Sequence, residues 1–321
     1  MLDTAVYRDP DLNDSEFFLD IVNGLTSIPK YLPCKYFYND EGSELFAKIC
    51  QTPEYYVTRT EIALLKKILP EIAALIDPGC DILEFGSGAG EKIRLLLNAL
   101  REPASYTPMD ISESALLEST AKLRTDYPGI DIQPWVGDYT VDLTENLDNL
   151  SHPNQRVVFF PGSTISNFTP EQARDFLERI SRWLGTTGVL LIGVDTLKPE
   201  AILNAAYNDA EGVTAAFNLN LVYRIRDELG IDISPDDFEH KAFFNLAENR
   251  VEMHLVARRE HSVLLDGRPI HFGKGESIHT ENSYKYSQES FRQLAELSGL
   301  KLEQSWLDDD KLFSFHFLPV A

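Results

Sequence analysis

The segment Asp81-Ile-Leu-Glu-Phe-Gly-Ser-Gly-Ala-Gly-Glu-Lys92 carries the residue types best suited to holding a nucleotide. A short apolar run passes into Gly86, Ser87, Gly88, Ala89 and Gly90, and a helical pattern opens at Glu91. Glycines at such a turn let the backbone bend sharply and let a ligand approach the main chain. Tight strand-to-helix turns also use glycine for purely structural reasons, so the neighbouring acids matter. Asp110 ends the next apolar run, about twenty residues on, where a carboxylate can accept both hydroxyls of a ribose. Asp138, in Val136-Gly-Asp-Tyr139, follows the third run and is placed to meet an adenine edge.

Two cofactor chemistries compete for such a loop. A pyrophosphate site prefers GxGxxG, whose last glycine allows close helix packing, but Glu91 holds that position. An acid in the first helical turn also opposes a pyrophosphate there. The spacing is instead GxGxG, with Glu84 two residues before Gly86. This pattern resembles the nucleotide-binding motif of class I S-adenosylmethionine-dependent methyltransferases. The resemblance implies S-adenosylmethionine as cofactor, bound about Gly86, Ser87 and Gly88, and sets a nicotinamide-linked oxidoreductase as the lesser reading.

Stepping outward from the loop, residues 61–195 alternate helix and strand. Helical spacing runs over Glu61–Ile76, Glu91–Leu100, Ser112–Tyr127 and Pro170–Leu184. Strand patterns fall at Asp81–Phe85, Ser105–Met109, Ile132–Val136, Val157–Phe160 and Gly188–Val194. Such alternation predicts βαβ units and a parallel sheet. Before it, Ser15–Leu25 and Glu44–Gln51 read as helices. After it, a helical stretch of about Pro199–Glu228 precedes alternating segments Glu239–Leu246 and Arg250–Arg259, joined by the hairpin turn Ala247-Glu-Asn249. The α/β rhythm then resumes with a helix, Gln288–Ser298. Strands Lys301–Leu307 and Leu312–Pro319 follow, on either side of Asp308-Asp-Asp310.

The predicted fold is therefore α/β: a Rossmann-like, doubly wound sheet with an antiparallel last strand, as in class I methyltransferases, plus a second α+β substrate-binding domain. Residues 61–196 and 287–321 are assigned to the methyltransferase core, and residues 1–60 and 197–286 to the substrate domain.

Bulk properties narrow the partners. Over 321 residues the net charge is −22, which repels phosphate backbones and anionic lipid surfaces. No nucleic acid and no membrane is expected, and no apolar run reaches transmembrane length. The start Met1-Leu-Asp-Thr4 has no secretory pattern. Cys34, Cys50 and Cys80 are an odd number without CxxC spacing, expected as reduced thiols in the cytoplasm. His240, His254, His261, His271 and His279 crowd one region but lack ligand spacing, so no metal is expected.

Several segments outside the loop are more distinctive in wording. They are Lys35-Tyr-Phe-Tyr-Asn-Asp-Glu-Gly-Ser-Glu-Leu-Phe46, Thr52-Pro-Glu-Tyr-Tyr-Val-Thr-Arg-Thr-Glu61, Pro161-Gly-Ser-Thr-Ile-Ser-Asn-Phe-Thr-Pro170 and Ala206-Tyr-Asn-Asp-Ala-Glu-Gly-Val-Thr-Ala-Ala-Phe-Asn218. At these, in order and over nearly the whole chain, the protein resembles the histidine Nα-methyltransferases of ergothioneine biosynthesis. The resemblance implies conversion of L-histidine, a small-molecule substrate, to its trimethyl betaine, hercynine; a monomer is expected. It further implies that Asn167 and Tyr207 hold the substrate carboxylate. Tyr55, Glu281 and Ser283 would surround the imidazole, with Met253 packing near the ring. Tyr38, Phe46 and Gly162 would surround the α-amine, Tyr38 and Gly162 being assigned to catalysis. On the cofactor side Gly86, Lys92, Asp110 and Asp138 match. Where the family often has threonine-serine after the second loop glycine, this chain has Ala89-Gly90, which puts a side-chain hydrogen bond there in doubt.

Each residue also has a plainer use. Tyr55 and Tyr56 suit a core with their hydroxyls outward. Asn167 suits a cap for the helix beginning near Pro170. Glu281 suits a solvated surface and Met253 a strand core. Lys92 suits the first turn of its helix. The competing functions are an N-methyltransferase for another aromatic amino acid, such as a tryptophan derivative, and a non-catalytic S-adenosylmethionine-binding regulatory module.

Overall fold

The computed structural model describes residues 7–8, 14–88, 90–141, 154–265 and 267–321. Ala89, of the expected cofactor loop, and the start Met1–Thr4 lie outside them. The chain divides into two compact units, Met1–Asp9 with Val57–Leu197 and Lys285–Ala321, and Pro10–Tyr56 with Lys198–Tyr284.

The first unit is built on one sheet whose strands run in the order Tyr7–Arg8, Trp135–Val136, Ser105–Asp110, Asp81–Phe85, Arg156–Phe160, Val189–Asp195, Phe313–Pro319 and Gln304–Leu307. All pairings are parallel up to Val189–Asp195, and the last two strands run antiparallel. Every residue of Asp81–Phe85 and of Val189–Asp195 is buried, the mark of strands covered on both faces. The helix Pro170–Leu184 shows why such covers form. Thr169 and Gln172 make a reciprocal capping box, Pro170 takes the first turn, and Ala173, Phe176, Leu177, Ile180 and Leu184 bury one stripe.

Strand order reverses beside Asp81–Phe85, which has Ser105–Asp110 on one side and Arg156–Phe160 on the other. The carboxyl ends at such a switch point open onto a crevice where ligands bind in open α/β sheets. The ends of these strands, and of Trp135–Val136 beyond, lead directly into Gly86, Asp110, Asp138 and Gly162.

The expected strand Ile132–Val136 is two short pieces, Asp131–Ile132 and Trp135–Val136. Pro134 lies between them and has no N–H to donate to a ladder. The first-unit helix expected from Glu61 begins at Val57 and continues through Pro70 to Leu75.

The second unit has a four-stranded sheet ordered Lys30–Tyr31, Ser277–Tyr284, Arg250–Ala257 and Phe238–Asn245, and a separate hairpin of His261–Leu265 and Arg268–Phe272. Its helices are Asp14–Thr26, Asp40–Ile49, Glu200–Ala206 and Val213–Leu229. The last two correct the expected single stretch. Asp209 accepts from the amides of Val213 and Thr214, at 2.7 and 2.8 Å, so it starts a new helix after the turn at Tyr207. The hairpin Glu239–Arg259 is present, with Asn249 left-handed in its turn. Ser277–Tyr284 and the small hairpin were not anticipated as strands, because short runs rich in polar residues carry a weak period. Among the described residues no helix is long and apolar enough to cross a membrane. Cys34, Cys50 and Cys80 are free thiols.

Candidate functional site

Gly86 and Gly88 follow the central strand with φ of 69° and 48°, a region that side chains rarely adopt. A Cβ built at Gly88 would meet nothing within 4 Å, so the loop leaves open space there. The Ser87 hydroxyl is buried with no hydrogen-bond partner, the kind of orphan that a ligand satisfies. Asp110 accepts from the amides of Gly88 and Ser112, both at 3.0 Å, so its carboxylate is oriented beside the loop. Burial raises its pKa, against the lowering pull of the Ser112, Gly88 and Ile111 amides. Asp138 accepts from the Thr140 amide at 2.8 Å and its hydroxyl at 2.5 Å. Open space, an orphan hydroxyl and aimed carboxylates suit an adenosine with free ribose hydroxyls.

Beneath the loop, Glu84 is buried and hydrogen-bonded to the Tyr106 hydroxyl. Burial is the main cause that pushes its carboxyl up to about 8, opposed by the Tyr106 bond and Lys92 and aided by Asp110 and Glu61. A folded-state value above the ordinary 4.5 means that protonated Glu84 supports the fold fully below pH 4.5 and loses that contribution as pH rises toward 8. Glu84→Gln keeps a neutral group at every pH. Urea midpoints at about pH 5 and about pH 8 should therefore fall more for the parent than for the variant; parallel profiles would contradict the assignment.

Lys92 is not mere helix decoration. Its ammonium lies 2.6 Å from Glu61 Oε2, and Glu61 is completely buried. Glu61 Oε1 accepts from the Gly162 amide at 2.6 Å. The carboxylate needs the space that Gly193 leaves, since a Cβ there would sit 2.6 Å from Oε1. One buried acid thus joins the helix after the glycine loop to the turn after Arg156–Phe160. In the sequence Glu61 stands out only as the first residue of a helical pattern. Its burial in a helix of the α/β unit is visible only in three dimensions.

Gly162 has φ 81°. The turn continues into a short 3-10 helix, Thr164–Asn167, which carries Asn167 half-buried at its end. Asn167 is not the cap of the following helix; Thr169 takes that place. Ser163 bonds the Ser166 hydroxyl at 2.6 Å and accepts from the Asp195 amide at 2.8 Å, which braces the turn against the neighbouring strand.

In the second unit the remaining expected residues form a connected set. Tyr38 meets Phe46 edge-on at 5.8 Å, Phe46 meets Tyr55 at 6.3 Å, and Tyr55 meets Tyr207 at 6.3 Å. The Tyr207 hydroxyl donates to Ser283 Oγ at 2.7 Å. Ser283 and Glu281 stand opposite Val251 and Met253 on the neighbouring strand. Burial raises the Tyr55 pKa strongly, followed by Tyr207, Cys50, Tyr38 and Glu281 as neighbouring causes, so Tyr55 keeps its proton. Phe217 contacts both Tyr38 and Phe46, at 5.7 and 6.0 Å, and was not singled out from sequence, although it lies in the distinctive segment ending at Asn218. Tyr56 is a core aromatic whose hydroxyl accepts from Lys198 at 2.7 Å.

Glu252, His254 and His279 gather their side-chain donor atoms within 4.8 Å of one another, a cluster that residue spacing did not suggest. Glu252 already accepts from Arg250, Asn245 and His254. The rings of His254 and His279 stack at 15°, so the lone pairs of their ring nitrogens lie in nearly parallel planes. Within the set the buried Glu252 pairs with Arg250 at 2.8 Å.

A family model described as histidine-specific methyltransferase, SAM-dependent, matches residues 17–320. The chain belongs to that family. The histidine N-alpha-methyltransferase of Mycolicibacterium smegmatis is 40% identical over 296 residues, covering 90% of each chain. That of Mycobacterium tuberculosis is 36% identical over 295 residues, again 90% of each. A solved S-adenosylmethionine-dependent methyltransferase from Clostridium acetobutylicum is similar with a TM-score of 0.50 at 12% identity, over 87% of this chain and 98% of that one. At such identity the likeness speaks for the fold, a class I methyltransferase sheet. As a histidine-specific methyltransferase the protein uses S-adenosylmethionine, and the loop chemistry around Gly88, Ser87 and Asp110 fits it. The nicotinamide-linked alternative falls away.

Proposed function

We propose that the protein trimethylates the α-amine of L-histidine to hercynine, an early step of ergothioneine biosynthesis, acting in the cytoplasm as a monomer. The observation that carries the substrate assignment is the connected set Tyr38, Phe46, Tyr55, Tyr207 and Ser283, with Glu281 on the strand position opposite Met253. Aromatic faces suit an amine that becomes a quaternary cation, and a carboxylate suits an imidazole N–H. A chain of net charge −22 fits a small cationic-to-neutral substrate better than a nucleic acid.

In this reading S-adenosylmethionine supplies an electrophilic methyl on a sulfonium. Asn167 and Tyr207 hold the carboxylate, Tyr55, Glu281 and Ser283 hold the ring, and Met253 packs near it. Tyr38, Phe46 and Gly162 surround the amine. Gly86, Ser87, Gly88, Lys92, Asp110 and Asp138 hold the cofactor. Positioning carries most of the acceleration, since an in-line displacement needs alignment more than a strong base. Each of the first two products must lose a proton before attacking again, and the trimethylated amine has none to lose. Tyr38 or water can pass those protons outward.

Incubation of the protein with S-adenosylmethionine and each of the twenty amino acids, read by mass, tests the assignment. Gains of up to three methyl groups on histidine alone are expected; methylation of tryptophan with histidine untouched would overturn the pocket reading. Asp110→Ala should weaken S-adenosylhomocysteine binding by about a hundredfold, as lost hydrogen bonds to a charged acceptor warrant. Calorimetry checks this, and an unchanged affinity would remove Asp110 from the cofactor site.

A further inference from the structure

The strand Ser277–Tyr284 does not run against Arg250–Ala257 in a single register. Val251 faces Ser283 and Met253 faces Glu281, but His254 faces His279, so Thr280 is an extra residue in the ladder. An inserted residue moves every side chain beyond it to the other face of the sheet. His279 accordingly shares a face with His254, their rings 4.8 Å apart. Glu281 and Ser283 share the opposite face with Met253 and Val251. In a regular strand residues 279 and 281 would lie on one side, and Glu281 would join the histidines, away from Tyr207.

Buried hydrogen bonds hold the bulge where it is. The Thr280 hydroxyl lies 2.8 Å from Asn218 Oδ1 and 3.0 Å from the Met253 carbonyl, and its one proton serves either acceptor. Asn218, fully buried on the helix Val213–Leu229, donates through Nδ2 to the His254 carbonyl at 3.0 Å and to His240 Nδ1 at 2.9 Å. That leaves His240 Nε2–H to donate to the Tyr207 carbonyl at 2.9 Å. Both carbonyls at the register shift, and the backbone of Tyr207, are therefore tied to one side chain or its immediate partners. A buried network of this kind specifies one arrangement because any other leaves polar groups unpaired.

We infer that Thr280 and Asn218 are positioning residues for amino-acid recognition, fixing the bulge that turns Glu281 and Ser283 toward Tyr207. The inference rests on the histidine reading above, but neither residue need touch the substrate. Thr280→Val keeps the shape and removes the hydroxyl; Thr280→Ser restores it. Thr280→Val should raise KM for histidine by about tenfold or more, with KM for S-adenosylmethionine and S-adenosylhomocysteine affinity within about twofold of the parent. Thr280→Ser should return KM for histidine to within about threefold. Calorimetric titration of histidine into protein saturated with S-adenosylhomocysteine should give the same split without turnover. Histidine binding by Thr280→Val within about twofold of the parent, or equal losses for both ligands, would overturn the inference. Asn218→Ala should show the same split; if it does not fold, the Thr280 pair decides alone. If the parent methylates another amino acid and not histidine, the substrate reading fails, and the same comparison made on that amino acid still judges Thr280. A parent that methylates none removes both.

Discussion

Glu281→Ala is expected to lower kcat/KM for histidine by about a hundredfold, while KM for S-adenosylmethionine stays within about twofold. In the proposed pose the imidazole N–H loses a charged acceptor. A hydrogen bond to a charged group contributes roughly 1.5–3 kcal/mol, and each 1.4 kcal/mol is about tenfold. Glu281 is half-buried, so water can replace part of the bond, and the effect should not reach the far larger losses seen when a sealed site leaves a polar group unpaired. Glu281→Gln keeps an acceptor and should lose about tenfold. Selectivity is the sharper readout: the alanine variant should narrow the gap between histidine and phenylalanine, since the acid no longer penalises an apolar ring. Initial rates with both amino acids decide it, and an unchanged ratio would move ring recognition elsewhere.

A second large effect is expected at Glu61. Glu61→Ala leaves the Lys92 ammonium without its partner and the Gly162 amide without its acceptor, both inside the first unit. Breaking a buried pair from one side costs about 3–5 kcal/mol, and the partial exposure of Lys92 places this case near the lower figure. Glu61→Gln retains an oxygen for the Gly162 amide and loses only the charge, so it should cost about half as much. Urea midpoints read the stability loss, and S-adenosylhomocysteine titration reads whether Lys92 has moved. Gly193→Ala should lower both stability and S-adenosylhomocysteine affinity as Glu61→Ala does, because its Cβ would sit 2.6 Å from Oε1, and 2.9 Å from the Phe313 ring, and force the carboxylate aside. A Glu61→Ala variant as stable as the parent would mean that Lys92 finds another acid.

The glycine loop, Asp110 and the alternation around them were readable in the sequence because their determinants are local. Asp81–Phe85 sets Ile82, Leu83 and Phe85 in a short strand that runs into glycines, Gly86 and Gly88 take conformations that few other residues tolerate, and Pro170–Leu184 carries cap, proline and stripe together. Period and turn chemistry act over a few residues, so one chain suffices to see them. The aromatic set was reached through resemblance: nothing in the composition of Lys35–Phe46 or Ala206–Asn218 says that Tyr38 would meet Phe46 or that Tyr207 would reach Ser283. Where local signals misled, a single residue explains it. Pro134 split one strand, and Asp209 restarted a helix.

By itself, then, the sequence determined the alternation of helices and main strands around the first unit's central sheet, the glycine turn, and the acids Asp110 and Asp138 at strand ends, all through short-range sterics and hydrophobic period. Only the tertiary structure decided that Glu61 binds Lys92 and Gly162, that Phe217 joins the aromatic set, and that Thr280 is an extra residue in its strand. Those depend on partners far away along the chain. Which face Glu281 takes depends on a one-residue shift that alternation cannot reveal, since an acid fits either side of a polar strand until Asn218 is placed against it.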